Sequence, residues 1–168
     1  HIMWKVRLSI DWGLLCMSSN GWEKAKLGDI CEVLTGFPFK SAKFNMDGKG
    51  VKLVRGKNVS KRYLRWGDDA RWWDELNPTL EKYYLQQDDI LIGMDGSLVG
   101  KNYVRVNKSE LPLLLVQRVA CIRAKKGYNQ KFIYYQIANS NFENYIDFVK
   151  TGTTIPHISG SQLADYII

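Results

Sequence analysis

Residues 89–100 read Asp-Ile-Leu-Ile-Gly-Met-Asp-Gly-Ser-Leu-Val-Gly, and the fold can be worked out from this stretch. Its opening residues form a short apolar run of the kind found in buried strands. Glycine then recurs at positions 93, 96 and 100, where it can accept positive φ or let another backbone come close. The next segment, Lys101–Val106, alternates polar and apolar side chains like a half-buried strand. The sequence therefore predicts a strand, a glycine-shaped turn and a second strand.

Further strands are predicted on both sides of this unit. Residues 31–35 and 51–55 have strand patterns, and the apolar run at 113–122 fits one or two core strands. Only the polar pair Gln117-Arg118 interrupts that run, so this pair lies at a strand boundary or faces a partner. The segment 61–73 mixes arginines, tryptophans and aspartates, and its pattern favours neither helix nor strand.

The last third of the chain is predicted to be helical. Residues 129–140 fit a helix, and residues 141–150 fit a better one, stopped by Gly152, with apolar side chains at positions 142, 145, 146 and 149. A polar loop follows, and a short helix is expected from Ser159. Strands first and helices last predict an α+β fold, with a mixed or antiparallel β-rich core and a C-terminal helical portion.

Length and composition predict one ordinary globular domain. The chain has 168 residues, of which 45% are hydrophobic, and no apolar run is long enough to span a membrane. Residues 1–20 are expected to be an extension or an added segment, and residues 21–168 a single domain. The three cysteines, at positions 16, 31 and 121, are scattered, which favours a reducing compartment and a cytoplasmic location.

The charge points to a polyanionic partner. The formal net charge is +7 and the isoelectric point about 9.3. Residues 1–66 carry 13 Lys and Arg against 5 Asp and Glu, whereas residues 67–100 carry 2 against 8. A basic domain that is not secreted has an electrostatic reason to meet nucleic acid, although many basic domains do not bind it.

Catalytic and metal-binding patterns are largely missing. The two histidines and the unpaired cysteines offer no zinc spacing, and Ser97 lacks the flanking glycines of a hydrolase nucleophile. No phosphate-binding loop or dinucleotide motif is present. Four aspartates are interpreted as solvated turn charges: Asp68, Asp69, Asp88 and Asp89. Asp95 with Lys101 is the only pair that suggests a magnesium nuclease, so the expectation is no metal, no cofactor and no catalysis.

A binding surface remains, because several loops combine cations with side chains that can hydrogen-bond phosphates or base edges. The candidate DNA-binding residues are Lys40, Ser41, Lys43, Arg55, Lys57, Asn58, Arg62, Ser97, Lys101, Gln117, Arg118, Lys150, Thr151, Thr153, Thr154 and His157. Each loop taken alone is more simply a solvated polar loop, and the interpretation depends on their number and on the net charge.

Four motifs in order resemble the target recognition domain of the specificity subunit of type I restriction-modification enzymes. They are Trp-Glu with Leu-Gly-Asp-Ile at 22–30, Thr-Gly-Phe-Pro-Phe-Lys-Ser at 35–41, Val-Arg-Gly-Lys-Asn-Val at 54–59 and the glycine-punctuated stretch at 88–100. The resemblance continues through Thr-Gly-Thr-Thr-Ile-Pro-His-Ile at 151–158 and covers residues 22–168. In the family a proline-rich segment and a long helix usually come next, so the chain is expected to be either one domain cut from a full subunit before that helix or a half-length relative.

The resemblance implies a reader of duplex DNA without activity of its own. In that family each subunit carries two such domains, each of which reads one half of a split target. Methyltransferase subunits modify the DNA, and a restriction subunit cleaves it, so both are implied partners, the second indirectly. Arg would pair with guanine, and Asn or Gln with adenine. A half-site of about three or four base pairs would give modest affinity, since one small module has little interface.

Two other functions are kept as alternatives. The chain could be a docking module for the methyltransferase subunit, in which Trp66, Trp72 and Trp73 beside acidic residues form a protein interface. It could instead be a nuclease that depends on Asp95. On balance the glycine-punctuated turn is interpreted as a scaffold, and Asp95 as a turn residue.

Overall fold

The computed structural model describes residues 23–168, and besides five short 3₁₀ helices this range contains four α-helices and nine strands. In chain order they are α1 (Leu27–Ile30), β1 (Cys31–Thr35), β2 (Val51–Val54), β3 (Val59–Ser60), β4 (Tyr63–Leu64), β5 (Trp72–Trp73), β6 (Ile90–Gly93), β7 (Tyr103–Arg105), β8 (Leu113–Leu115), β9 (Val119–Ala124), α2 (Gln130–Ile137), α3 (Ser140–Val149) and α4 (Gly160–Ala164). The extension predicted at residues 1–20 lies outside the described residues and stays a prediction.

The central sheet has the strand order β1-β9-β6-β7, and all its pairings are antiparallel. The predicted strand-turn-strand unit is confirmed, because β6 pairs directly with β7, with Leu91 opposite Val104. All four residues of β6 are buried. A strand covered on both faces needs apolar side chains on both, which explains why this run is continuous rather than alternating.

A second sheet has the order β5-β2-β8, in which β2 runs parallel to β8 and antiparallel to β5. The apolar run at 113–122 therefore forms two strands, and these belong to different sheets. Gln117 and Arg118 lie in the turn between them, where Arg118 has φ of 67°. The segment 61–73 is also resolved into elements: it contains β4, which forms a hairpin with β3, and β5.

The layers follow from the two faces of the central sheet. Ile90, Ile92 and Ile122 pack with Ile133, Phe142 and other buried residues of the three larger helices. Leu91 and Cys121, on the other face, pack against Val54, Leu113 and Leu115 of the second sheet. Beneath that sheet lies a third cluster that includes Phe39, Leu53, Trp73 and Leu114. The architecture is α+β with mixed and antiparallel sheets, as predicted.

Three of the helices, α2, α3 and α4, begin at side-chain caps. Asn129 accepts a hydrogen bond from Phe132 N, and Asn139 accepts one from Phe142 N, so α2 and α3 each start one residue after an asparagine. One detail of the prediction is wrong: α3 ends at Val149 with an extended cap at Lys150, and Gly152 lies beyond it in the following loop. The two ends of the described chain pair with each other, since Ala25 and Ile168 exchange backbone hydrogen bonds of 2.9 Å.

Candidate nucleic-acid interface

Five strand termini meet at one end of the two sheets. The last residue of β1, Thr35, lies opposite Ala120, and the last residue of β6, Gly93, lies opposite Val119, the first residue of β9. The second sheet adds the ends of β2 and β8, which pair as Val54 with Leu115. We call this region the loop end. We define it as residues 55–57, 95–101 and 117–118, which adjoin these termini, together with residues 150–157, which follow α3.

The turn formed by Gln117 and Arg118 is exposed at the centre of the loop end. Its backbone is fixed on both sides: Gln117 N donates to Phe37 O at 2.9 Å, and Met94 N donates to Arg118 O at 3.0 Å. The Arg118 side chain is 66% exposed, and its Nη1 donates to Asp95 Oδ2 at 2.9 Å. A rigid backbone therefore presents an amide and a guanidinium side by side to solvent.

The loop 150–157 is joined to the turn at Asp95. His157 forms isolated β-bridges with both Asp95 and Thr151, and Gly96 N donates to Pro156 O at 2.9 Å. The hydroxyl of Thr151 lies 2.9 Å from Nε2 of His157, and Thr153 and Thr154 are exposed. The structure thus brings the predicted pair Gln117 and Arg118 together with the predicted residues of the loop 150–157.

A cleft of about 550 Å³ separates the Gln117-Arg118 turn from the His157 loop. The rest of its lining consists of Thr35, Gly36, Met94, Asp95, Ile158, Ser159 and Gly160. Sequence reasoning did not include Thr35 or Ser159, because neither belongs to a basic loop. No local pattern could have included them, since the sheet register alone places the end of β1 beside the start of β9.

Lys57 and Lys150 each form an ion pair at the loop end, where the Lys57 side chain is 48% exposed and the Lys150 side chain 33% exposed. Lys57 contacts the carboxylate of Asp69, and this hydrogen bond lowers the pKa of Asp69. Lys150 donates to Asp147 at 2.6 Å, and the hydrogen bond lowers the pKa of that carboxyl too. Exposed pairs of this kind contribute little stability, so either lysine can exchange its carboxylate for a phosphate at small cost.

Ser97 and Lys101 are exposed in the turn that follows Asp95, and they belong to the loop end.

Arg55 is half-buried: its guanidinium donates to Asp69 O and lies 5.9 Å from the ring of Phe44. Burial lowers the pKa of Arg55. Arg55 is thus held partly inside the protein, whereas Lys57 is the freer cation of this loop.

Asn58 is a correction to the predicted set. It is completely buried, its Oδ1 accepts from Arg55 N at 3.0 Å, and its Nδ2 donates to Arg65 O at 3.0 Å. Both sides of its amide are used inside the protein, so we withdraw it as a base-reading residue. Its role is to shape the loop that carries Lys57.

Four other predicted residues are not brought to the loop end. Lys43 pairs with Glu75 at 2.6 Å, next to Trp73, which lies opposite the first residue of β2. Lys40 and Ser41 are exposed in the segment that leads there. Arg62 lies in the β3–β4 turn, where its backbone N donates to Tyr103 O at 2.7 Å.

Asp89 is a second correction, because it is not a solvated turn charge. It is 1% exposed and forms a bidentate ion pair with Arg123, at 2.8 and 2.7 Å.

Asp95 contacts Arg118, and no hydrogen bond or ion pair joins it to Lys101 in the described chain. Within residues 23–168, no group of three or more His, Cys, Asp or Glu side chains is arranged to hold a metal ion.

Of the three tryptophans proposed as a protein interface, Trp73 is internal, whereas Trp66 and Trp72 are half-buried. Trp73 is 6% exposed and packs in the third core cluster. Trp66 donates from Nε1 to Glu110 at 2.8 Å, and Lys52 Nζ lies 4.6 Å from the Trp66 ring and 5.7 Å from that of Trp72. This part of the sequence prediction is wrong for Trp73, because folding uses its ring as core.

Across the described range, no helix combines the length and apolar character needed to cross a membrane.

Comparison with known proteins gives the family. A model described as the type I restriction modification DNA specificity domain matches residues 19–168. The chain is 33% identical over 147 residues to the EcoAI specificity subunit of Escherichia coli, covering 86% of this chain and 24% of that protein. It is 29% identical over 157 residues to the EcoBI specificity subunit of the same organism, covering 93% and 30%.

Solved structures give the same fold. The HsdS subunit of Thermoanaerobacter tengcongensis superposes with a TM-score of 0.63 at 17% identity, covering 89% of this chain and 33% of that one. A chain from a study of assembly and conformational transition of the type I R-M system has a TM-score of 0.65 at 17% identity, covering 95% and 35%. The chain spans between 24% and 32% of the length of the curated relatives. Because the family model covers residues 19–168, the chain belongs to the type I restriction-modification DNA specificity domain family.

Proposed function

We propose that this chain reads one half of a split duplex DNA target and has no catalysis of its own. The observation that carries the proposal is the convergence of Gln117, Arg118, Lys57, Lys150 and the Thr151–His157 loop at one end of the sheets. Family membership supports it, since the matching model describes a DNA specificity domain.

Side-chain chemistry decides which residues of the loop end are proposed to read bases and which to contact phosphates. Gln117 and Arg118 are exposed on a backbone that neighbouring hydrogen bonds hold, so they are the proposed base readers. An amide pairs bidentately with adenine and a guanidinium with guanine in the major groove. Lys57, Lys101 and Lys150 surround them and contact phosphates, which positions the domain on the duplex without selecting sequence.

The loop that ends at His157 supplies neutral donors. The hydroxyls of Thr151, Thr153 and Thr154 and the exposed imidazole are suited to phosphate oxygens or base edges. The cleft next to this loop gives the surface a concave shape beside the base readers.

We also infer that methyltransferase subunits are partners and that the restriction subunit is reached through them. The support is that the relatives are named as specificity subunits of type I restriction enzymes. DNA contact is favoured over a docking-only role because Trp73, one of the tryptophans that suggested docking, is part of the core, and Trp66 donates its indole N–H to Glu110 within the protein.

Charge reversal tests the proposal. Lys57→Glu and Lys150→Glu should each weaken duplex binding by about tenfold or more at low salt, because a phosphate contact is replaced by repulsion. Lys108→Glu is the matched control: Lys108 is exposed, as Lys57 is, but follows β7 at the opposite end of the central sheet. Equal losses for all three variants would show non-specific electrostatics and contradict an interface at the loop end.

A further inference from the structure

Asp95 and Arg118 form a carboxylate–guanidinium pair at the centre of the loop end, with Oδ2 and Nη1 2.9 Å apart. The Asp95 side chain is 25% exposed, whereas that of Arg118 is 66% exposed. The carboxylate thus lies behind the guanidinium and contacts only one of its nitrogens. The remaining N–H groups of Arg118 make no hydrogen bond to another described residue, which leaves an edge of the fork open to solvent.

The surroundings of Asp95 fix its position. Its neighbours Met94 and Gly96 donate backbone hydrogen bonds to Arg118 O and Pro156 O, at 3.0 and 2.9 Å. Its other carboxylate oxygen, Oδ1, lies 3.2 Å from the point that a Cβ on Gly56 would occupy. The carboxylate is therefore confined between the Gly56 backbone and the Arg118 side chain, so the orientation of the pair is set before any ligand arrives.

An isolated arginine on a DNA-binding surface has two competing uses. It can read guanine, which depends on sequence, or it can contact a phosphate, which does not. A fixed carboxylate beside it changes this competition in two ways. It occupies one donor and so orients the rest of the fork, and its negative charge repels phosphates that approach the same guanidinium.

We propose that Asp95 is a positioning and specificity-determining residue, which directs Arg118 to a base edge and discourages it from contacting the DNA backbone. This inference rests on the proposed function, since it concerns the same surface. It assigns Asp95 the task of lowering affinity for DNA that lacks the matching base. A merely structural aspartate would have no such effect on the ratio of two affinities.

The test compares two duplexes at one salt concentration. The first is recovered from a randomised library by selection with the wild-type 168-residue chain, and the second is a scrambled duplex of equal composition. Asp95→Asn keeps the shape and removes the charge. We expect the ratio of the two affinities to fall about tenfold, the size of one lost base contact. Affinity for the scrambled duplex should rise about threefold.

Two further variants separate positioning from stability. In an Arg118→Ala background, Asp95→Asn should produce no additional loss of selectivity, because the side chain it directs is absent. Gly56→Ala keeps both charges but pushes on Oδ1, so it should lower selectivity without the gain on scrambled DNA. The matched control is Asp165→Asn, which removes another exposed ion pair, with Lys26, near the chain end and should leave selectivity unchanged.

The outcomes are distinguishable. Wild-type selectivity retained by Asp95→Asn, or an equal loss in the Arg118→Ala background, overturns the inference and leaves the proposed function standing. A wild-type chain that binds both duplexes equally overturns the proposed function and the inference together. Unfolding midpoints of all variants, measured in the same buffer, identify any loss that comes from misfolding. If Asp95→Asn misfolds, the Gly56→Ala chain tests the inference in its place, and wild-type selectivity in that chain would overturn it.

Discussion

Asp89 and Arg123 form a bidentate ion pair between the start of β6 and the end of β9, with a carboxylate side chain that is 2% exposed. Asp89 Oδ2 also accepts a hydrogen bond from Gln86 N at 2.7 Å. Hydrogen bonding to Asp89 raises the pKa of Arg123, so the guanidinium stays charged at every working pH. This pair joins two central strands at the end of the sheet opposite the loop end.

Removing one partner of this pair should be strongly destabilising. Asp89→Asn leaves the partly buried Arg123 without its counter-charge, and we expect a loss of about 3–5 kcal/mol in the free energy of unfolding. Urea denaturation at neutral pH measures it. The exposed pair of Lys26 and Asp165 is the control, and Asp165→Asn should cost less than about 1 kcal/mol. A loss for Asp89→Asn no larger than that of the control would show that the Asp89–Arg123 pair does not stabilise the fold.

Gly96 and Gly100 should respond differently to alanine. Both have positive φ, 92° and 81°, so each substitution strains the backbone by about 1–2 kcal/mol. A Cβ at Gly96 meets nothing within 4 Å, whereas one at Gly100 would lie 2.7 Å from Ile146 Cγ2. Gly100→Ala should therefore cost about 1–3 kcal/mol more than Gly96→Ala, because of overpacking against α3.

A rescue experiment checks the cause of that difference. Ile146→Ala removes Cγ2 and Cγ1, two of the three atoms nearest to the added Cβ, so it should cost less in the Gly100→Ala chain than in wild type and recover part of the excess loss. The same change should recover none in the Gly96→Ala chain. Equal unfolding midpoints for the two glycine variants would show that backbone conformation alone decides their cost.

Asn58→Ala should act on stability. It leaves two backbone groups, Arg55 N and Arg65 O, without their buried partner, and we expect a loss of about 2 kcal/mol. Asn144→Ala, on the exposed face of α3, is the matched control and should change stability by less than about 0.5 kcal/mol. At temperatures where the Asn58→Ala chain is fully folded, its sequence preference should equal that of wild type. An altered preference with normal stability would restore Asn58 as a reader.

The buried thiols should be inert in the native state. Burial raises the pKa of Cys31 to about 12 and also raises that of Cys121. At pH 8, roughly one Cys31 side chain in ten thousand is then the reactive thiolate. In a Cys16→Ser chain, a thiol reagent should label neither cysteine until denaturant is added, and then label both. Rapid labelling of the native chain would mean that β1 or β9 opens readily.

Local sequence pattern correctly predicted the elements whose residues form a clear apolar run or an apolar stripe. The glycine-punctuated stretch predicted β6, its turn and β7, and the apolar stripe of residues 142–149 predicted α3. Both depend on contacts between residues close in sequence, or on the burial of one face, which a short window records. The α+β class followed from the order of these elements.

Long-range pairing is what the sequence did not reveal. The strands on either side of Gln117 and Arg118 belong to different sheets, and the turn between them contains Arg118 in a left-handed conformation that no residue preference predicts. Asp89 looked solvated because its partner Arg123 lies 34 residues away. Trp73 looked like interface because its neighbours in sequence are acidic, while its neighbours in space are aromatic.

The same limit applied to the candidate site. Gln117, Arg118 and the Thr151–His157 loop were identified by side-chain type, but their meeting at one end of the sheets depends on strand register. Asp95 was interpreted as a turn residue, since its partner Arg118 follows 23 residues later. Lys43 had the right chemistry but folds toward the other end of β2, beside Glu75.

The central claim is that the loop end reads duplex DNA, and the most direct test is selection from a randomised duplex library followed by a salt titration. If the loop end reads DNA, we expect an enriched motif of roughly three or four base pairs. We also expect the logarithm of the binding constant to fall linearly with the logarithm of salt concentration, by about 0.9 per phosphate contact. No enriched motif, together with an affinity that does not change between low and high salt, would contradict it.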